Sequence, residues 1–387
     1  MPGGSAQLSY PRNQPLHVRR RIALLAAGIT CYLLSWLLAR FPGATEAIYG
    51  NLVGPALERT LSFITGLVPV ALSEFFVLAV IARQLVAGCL ATRHALRGER
   101  QWTNAMQSGA LRLAQDAGTL VAAFYLLWGF NYARAPLNDR LRWTLPSDLE
   151  ATELADLAGQ MVSTANATYL EIHGIAYGDG PTAITVERRT IERALVRGWE
   201  KARLELGLPL RSGTYGPVKT PLLTRWYEWT GIAGFYFPFT GEANLRRGIP
   251  AVDTPEMLAH EIAHQRGVAR ESEANFWGFL SAARCDEPVA RYSAFVFAQR
   301  QLLALLVQID RDLAVEIAAT RLPGVQRDID GSRRYWRSFR GHGTELGQSV
   351  NNAFLQSNRV EGGVLNYSMS VTLIIAYARS RGRNLLP

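Results

Sequence analysis

The 387-residue sequence predicts a mainly α-helical protein with a small β-sheet, in which three transmembrane helices precede a soluble domain. Three observations predict it. Hydrophobic residues make up 48% of the chain and charged residues 19%, too apolar for a wholly soluble protein and too polar for one that lies mostly in a membrane. The longest apolar runs fall within the first 130 positions. Beyond them, prolines, glycines and capping residues punctuate segments of helical period.

The net charge of +9 is placed as unevenly as the apolar residues. Residues 1–21 contain Arg12, Arg19, Arg20 and Arg21 and no acid; Arg83–Asp116 sets five arginines against Glu99 and Asp116. These two stretches carry +7 of the +9, and both abut apolar runs. That is the charge that flanks membrane spans, not a basic face for nucleic acid, so a nucleic-acid partner is not expected. Of three cysteines, Cys31 and Cys89 sit in the apolar runs and Cys285 is alone beyond them, which leaves no disulfide within the soluble part and no paired-cysteine metal motif.

The first run, Ile22–Ala39, has 18 uncharged residues between three arginines and Arg40. That length nearly spans a bilayer. It reads as an uncleaved span rather than a signal peptide, because Trp36 and Arg40 fit poorly before a small-residue cleavage site. Spans are expected at about 22–39, 74–90 and 115–130. The connecting segment Arg40–Glu74 carries more acid than base, and the flanking segments on the other side are positive. The positive-inside rule then puts residues 1–21 in the cytoplasm and 131–387 outside it, in a cytoplasmic (inner) membrane. Asn131 and Tyr132, just after the third span, read as an interfacial anchor.

In the soluble part, Ser147–Glu150 reads as a capping box opening a helix to Ile172, and Thr190–Leu206 as a second helix. Gly231–Phe239 is aromatic and β-prone, confined by Pro238 to an edge strand. Thr254-Pro255-Glu256 reads as N-cap, first-position proline and first-turn acid of a helix that stops at Gly267. Further helices are expected at about Arg270–Ala283, Ala290–Ala319 and Ser349–Leu355, with a short apolar stretch at Val371–Ala378.

The helix opened at Thr254 carries His260-Glu261-Ile262-Ala263-His264. Residues four apart share a helix face, so both imidazoles can reach one ion, while Glu261, rotated by about 100°, can reach a water bound there. One Zn2+ suits such ligands. It makes water a usable nucleophile, and Glu261 serves as general base. Glu271 and Glu273 are both candidates for the third ligand. Glu271 is favoured because Asn275, four residues on, shares its face and can hydrogen-bond a ligating histidine. Arg270 stands where a three-histidine site would need its third imidazole.

HEIAHQRG…ARESEANF, with GFYFPFTGEANL at 234–245 and LWGFNYARAPL at 127–137, resembles an uncharacterised bacterial membrane family catalogued as domain of unknown function 3810. The resemblance runs from the first span to residue 370. The ESEAN segment is similar to the E-x-x-A-N/D motif of gluzincin-type metallopeptidases. That resemblance implies Glu271 as zinc ligand and Asn275 as its companion, in a zincin-like α+β metallopeptidase domain. Zincins generally pair substrate with an edge strand above the metal helix, which implies Gly231–Phe239 with Gly234 and Tyr236; Tyr236 or Tyr367 would polarise a carbonyl, and His342 is a further donor candidate. The expected function is membrane-anchored hydrolysis of a peptide or protein substrate in the cell envelope. A metal-containing sensor and a hydrolase of a non-peptide envelope substrate are the alternatives, and an intact Glu261 speaks against the sensor.

Overall fold

The computed structural model describes residues 14–178, 180–211, 213–339, 341–358 and 369–386. Helix α1 (Gln14–Leu38) contains the first expected span. Between it and the next long helix lie α2 (Pro42–Thr45), a π-helical turn at Glu46–Val53 and α3 (Gly54–Gly66), none of them expected from sequence. Helix α4 (Leu72–Leu96) extends the second expected span at both ends. Helix α5 (Trp102–Leu127) takes the third, but closes at Leu127, so Phe130 falls in the 3₁₀ turn Gly129–Ala133. Gly28 of α1 and Gly118 of α5 meet back to back: a Cβ on Gly28 would lie 2.4 Å from the Gly118 carbonyl oxygen. Only glycine permits so close a crossing.

Among the described residues, three helices are long and apolar enough to cross a membrane: His17–Leu38, Leu72–Leu96 and Pro288–Ile309. The first two leave their apolar surface almost wholly exposed, and they mark the chain as membrane-associated. The third is not the one expected. Arg112, Gln115 and Asp116 interrupt α5, and Asp116 pairs with Arg83 of α4. Pro288–Ile309 is instead 56% buried.

After α6 (Leu137–Leu141) the helical core begins with α7 (Ala151–His173) and α8 (Arg188–Glu205). The expected capping box does not form: Glu150, not Ser147, precedes the helix, without a side-chain cap. Arg379 holds the Asp148 carbonyl at 2.9 Å and so fixes the preceding chain outside the helix. Helix α9 (Thr224–Thr230) leads into β1 (Gly234–Phe237), which pairs antiparallel with β2 (Glu242–Leu245), Gly234 opposite Leu245 and Phe237 opposite Glu242. The far edge of β2 is covered by Lys219, whose amide donates to the Ala243 carbonyl at 2.8 Å. Among the described residues β1 pairs with β2 alone.

Helices α10 (Thr254–Gln265) and α11 (Glu271–Ala283) follow, then α12 (Pro288–Ile309) and α13 (Arg311–Ala319). The single helix expected over 290–319 breaks at Asp310, whose carboxylate accepts from the Leu313 amide at 3.0 Å and caps α13. Helix α14 (Pro323–Ser338) was not legible as a helix, α15 (His342–Ser357) is longer than expected, and α16 (Ser370–Ser380) encloses the last apolar stretch. Helices α7, α8, α10, α11, α12 and α16 pack around one core in which Trp199 and Trp277 meet at 4.3 Å.

The exposed apolar helix α4 is bolted to this core. Glu242 on β2 accepts from the Leu72 and Ser73 amides at 3.1 and 2.8 Å, capping α4, and is itself paired with buried Lys219.

Candidate metal centre

Helix α10 starts where the sequence placed it, by a different device. Asp253 occupies the N-cap position, and Thr254 Oγ1 donates backward to the Pro250 carbonyl at 3.0 Å instead of capping. Pro255 sits in the first turn, where a missing N–H costs nothing. The helix stops at Gly267, at φ +77°, where a Cβ would also lie 2.6 Å from the buried Glu58 carboxylate. Both reasons require glycine there. The chain turns back, and α11 opens on Glu271. Gly278 lets the two helices close: a Cβ there would lie 2.6 Å from Glu256 Oε1 and 3.3 Å from the His260 amide.

This turn brings three of the expected residues together. His260 Nε2 and His264 Nε2 are 3.0 Å apart, and Glu271 Oε2 lies 3.3 Å from the first and 3.5 Å from the second. They form a group of donors with metal-binding chemistry among the described residues. Ligands about 2.0–2.1 Å from one tetrahedral ion stand roughly 3.3 Å apart, so the set fits zinc. His264 Nδ1 bonds the Val268 carbonyl at 2.7 Å, which directs Nε2 at the other two. Burial alone would raise the Glu271 carboxyl, but the His264 charge and hydrogen bonds from both imidazoles hold it well below the carboxylate range. Burial works against protonated His260 as well, and the Glu271 hydrogen bond outweighs it, pushing the imidazole up to about 9.

Glu273, the other candidate, faces away. It accepts from the Leu137 amide at 2.9 Å and lies 3.6 Å from Arg140 and 3.5 Å from Arg270. Asn275 is buried one turn beyond Glu271, but it hydrogen-bonds neither imidazole; the Val268 carbonyl takes the place expected for it. Glu261 stands beside the trio with burial pushing its carboxyl up to about 7 and Oε2 unpartnered. It packs under β1: a Cβ on Gly234 would lie 2.4 Å from Glu261 Oε1. Tyr236, two residues along, packs its ring 5.3 Å from Trp128 in a buried aromatic cluster and makes no hydrogen bond to the trio. Tyr367 and the His342 side chain lie outside the described residues.

The residues that sequence reasoning missed come from the end of α5. Trp128 Nε1 donates to the His264 carbonyl at 3.2 Å. Arg134 donates to the Gly267 carbonyl at 2.9 Å and forks onto Glu46 at 2.7 and 2.9 Å. Asn131 donates to Glu58 at 2.8 Å, and Tyr132 is buried with its hydroxyl raised by burial and by the nearby Glu271 charge. Asn131 and Tyr132 are thus buried and do not form an interfacial anchor; they lie in a strap that reaches the end of α10 through Trp128 and Arg134. The signal was present in LWGFNYARAPL, which has no metal-ligand pattern.

Residues 49–375 match the family model described as "Protein of unknown function (DUF3810)". The chain belongs to this family. No curated protein and no solved structure matches it. Within this DUF3810 chain the matched region takes in the strap, both strands and both helices that carry the trio.

Proposed function

We propose that the chain is a membrane-anchored, zinc-dependent metallopeptidase of gluzincin-like, HExxH type, a hydrolase. The observation that carries the reading is the meeting of His260, His264 and Glu271 Oε2 within 3.5 Å of one another with Glu261 alongside. His260, His264 and Glu271 would hold the ion, and a bound zinc supplies an activated water and a polarised carbonyl. Glu261 accepts the water's proton on its carboxylate and returns it to the leaving amine. Its burial favours a carboxyl that titrates near neutrality, against the opposing pull of the two imidazoles. Among the described residues the second edge of β1 is unpaired; it begins at Gly234, against Glu261, and an extended peptide adding there would be held over the trio.

The soluble domain is read as extracytoplasmic. The grip of Glu242 and Lys219 on the start of α4 supports this, since it ties the end of segment 40–74 to the domain. That segment is the one with the acidic excess.

Zinc content separates the two acids at the start of α11. Glu271→Gln purified from the membrane should lose its zinc by elemental analysis. Glu273→Gln should retain zinc but be less stable by about 1–3 kcal/mol, because Arg140 and Arg270 lose their facing charge while the amide oxygen can still accept from Leu137. The opposite pattern reverses the assignment of the third ligand.

Gly234→Ala tests the placement of the base. The added methyl displaces the Glu261 carboxylate, and a misplacement of about 1 Å can cost ~10²-fold in turnover. Hydrolysis should fall by about that factor with zinc stoichiometry unchanged; full activity would mean that β1 does not position Glu261.

A further inference from the structure

Apart from its spans, the chain presents a second apolar surface on the soluble domain. Leu222 and Leu223 are 63% and 48% exposed, and Trp226 and Trp229 of α9 are 56% and 49% exposed, their ring centroids 5.0 Å apart and the rings tilted by 43°. On the other side of α9, Tyr227 stacks on Phe235 of β1 at 5.0 Å and fixes the helix to the sheet. The tryptophan face is therefore held outward by packing on the inner face. Helix α15 continues it: Leu346, Val350 and Phe354, one turn apart in succession, are all exposed.

Both ends of this surface are tied to helices read as entering the bilayer. At one end the Leu222 and Leu223 amides donate to Glu74, in the first turn of α4, at 2.7 and 2.8 Å. The next residues of α4, Phe75, Val77 and Leu78, are exposed and apolar, so α4 enters the bilayer at the level of these leucines. At the other end Phe354 packs edge-on against Phe124 in the last turns of α5 at 5.7 Å, and Tyr125 donates to Asn358 at 3.1 Å. A patch joined to two such helices lies at the membrane surface. Tryptophan prefers that depth, where an amphipathic ring meets both headgroup and chain.

We infer that α9, the Leu222-Leu223 turn and the outer face of α15 are seated in the headgroup–acyl boundary of the bilayer. The domain is then held against the membrane and does not stand away from it on its spans. Strand β1 runs from Glu261, at Gly234, to α4, where Phe237 meets Phe76 at 5.5 Å. Three residue steps are about 10 Å, so the metal site opens within roughly that distance of the surface. The inference does not depend on the metal site hydrolysing anything.

The test uses the full chain in phosphatidylcholine–phosphatidylglycerol vesicles, with and without acyl chains brominated near the headgroup, and iodide as aqueous quencher. Wild type is compared with Trp226→Phe/Trp229→Phe and each single variant, because Trp36 and Trp102 also lie on membrane helices. Substitution should remove fluorescence that the brominated lipid quenches and iodide does not, the share of two tryptophans in nine. If the fluorescence lost is instead indifferent to bromine, the inference fails: quenching by iodide then means that the face meets water, and quenching by neither that it meets protein. Glu261→Gln protein should give the wild-type quenching, so a failed peptidase reading leaves this result standing.

Discussion

Glu261→Gln should abolish hydrolysis while leaving zinc in place. Glutamine keeps the size of the side chain and its fit beneath Gly234, where Glu261 Oε1 leaves no room even for a methyl group. What it loses is the ability to accept a proton. General-base assistance is worth about 10²–10⁴-fold, so turnover should fall by at least that factor. Zinc stoichiometry should match wild type, because Glu261 is not among the three donors that meet within 3.5 Å. Thermal stability should hold or rise, since a buried carboxylate with one unpartnered oxygen is replaced by a neutral amide. Hydrolysis of a casein-type substrate by purified protein in detergent, beside elemental zinc, checks all three. A variant with wild-type turnover sinks the general-base role, and one that loses zinc as well as activity moves Glu261 from base to ligand support.

The centre of this site was legible because its geometry is local. Residues four apart on one helix must share a face, so His260 and His264 were placed by spacing alone, and a glycine stop announced the return of the chain toward Glu271. Choosing between Glu271 and Glu273 by the Asn275 pairing reached the residue that faces the imidazoles by a wrong route. Among the described residues Asn275 bonds neither imidazole. Glu273 is turned away by partners distant in sequence, the Leu137 amide and Arg140. Long-range contacts of that kind leave no periodic trace. The same holds for Trp128 and Arg134, which bond the His264 and Gly267 carbonyls from over a hundred residues away, and for α5. Its packing against α1 through Gly28 and Gly118 shelters a helix that hydropathy alone does not make a span. Caps failed where tertiary contacts outbid them: Thr254 donates backward to Pro250, and the chain before α7 is held by Arg379.

Arg134→Met should destabilise the chain strongly although it lies outside the hydrophobic core. Its guanidinium forks onto Glu46, donates to the Asn131 side chain at 2.9 Å and to the Gly267 carbonyl at 2.9 Å, and is almost wholly buried. Methionine fills the space but leaves Glu46 with only Arg140 at 3.2 Å and strands the carbonyl that ends the metal helix. Breaking a buried pair from one side costs about 3–5 kcal/mol. In a domain of this size that is on the order of 10 °C in apparent melting temperature. The loss should depend on pH in a defined direction. Burial would raise the Glu46 carboxyl, but Arg134, then Arg140 and Arg211, hold it down at about 2 against an ordinary 4.5. A carboxyl lowered by folding contributes stability that is complete above its unfolded value and disappears as pH falls through the folded one. Wild type and Arg134→Met should therefore differ most near neutrality and converge between about pH 4.5 and 2. Melting curves of both proteins across that range measure it; a gap that stays constant to pH 2 would mean that the Glu46 pair does not carry the effect. Because the same side chain holds the turn at Gly267, zinc should also leave the variant faster on chelation, at neutral pH and below its melting temperature. That second loss is what distinguishes a strap that shapes the metal site from one that only holds the membrane helices to the domain.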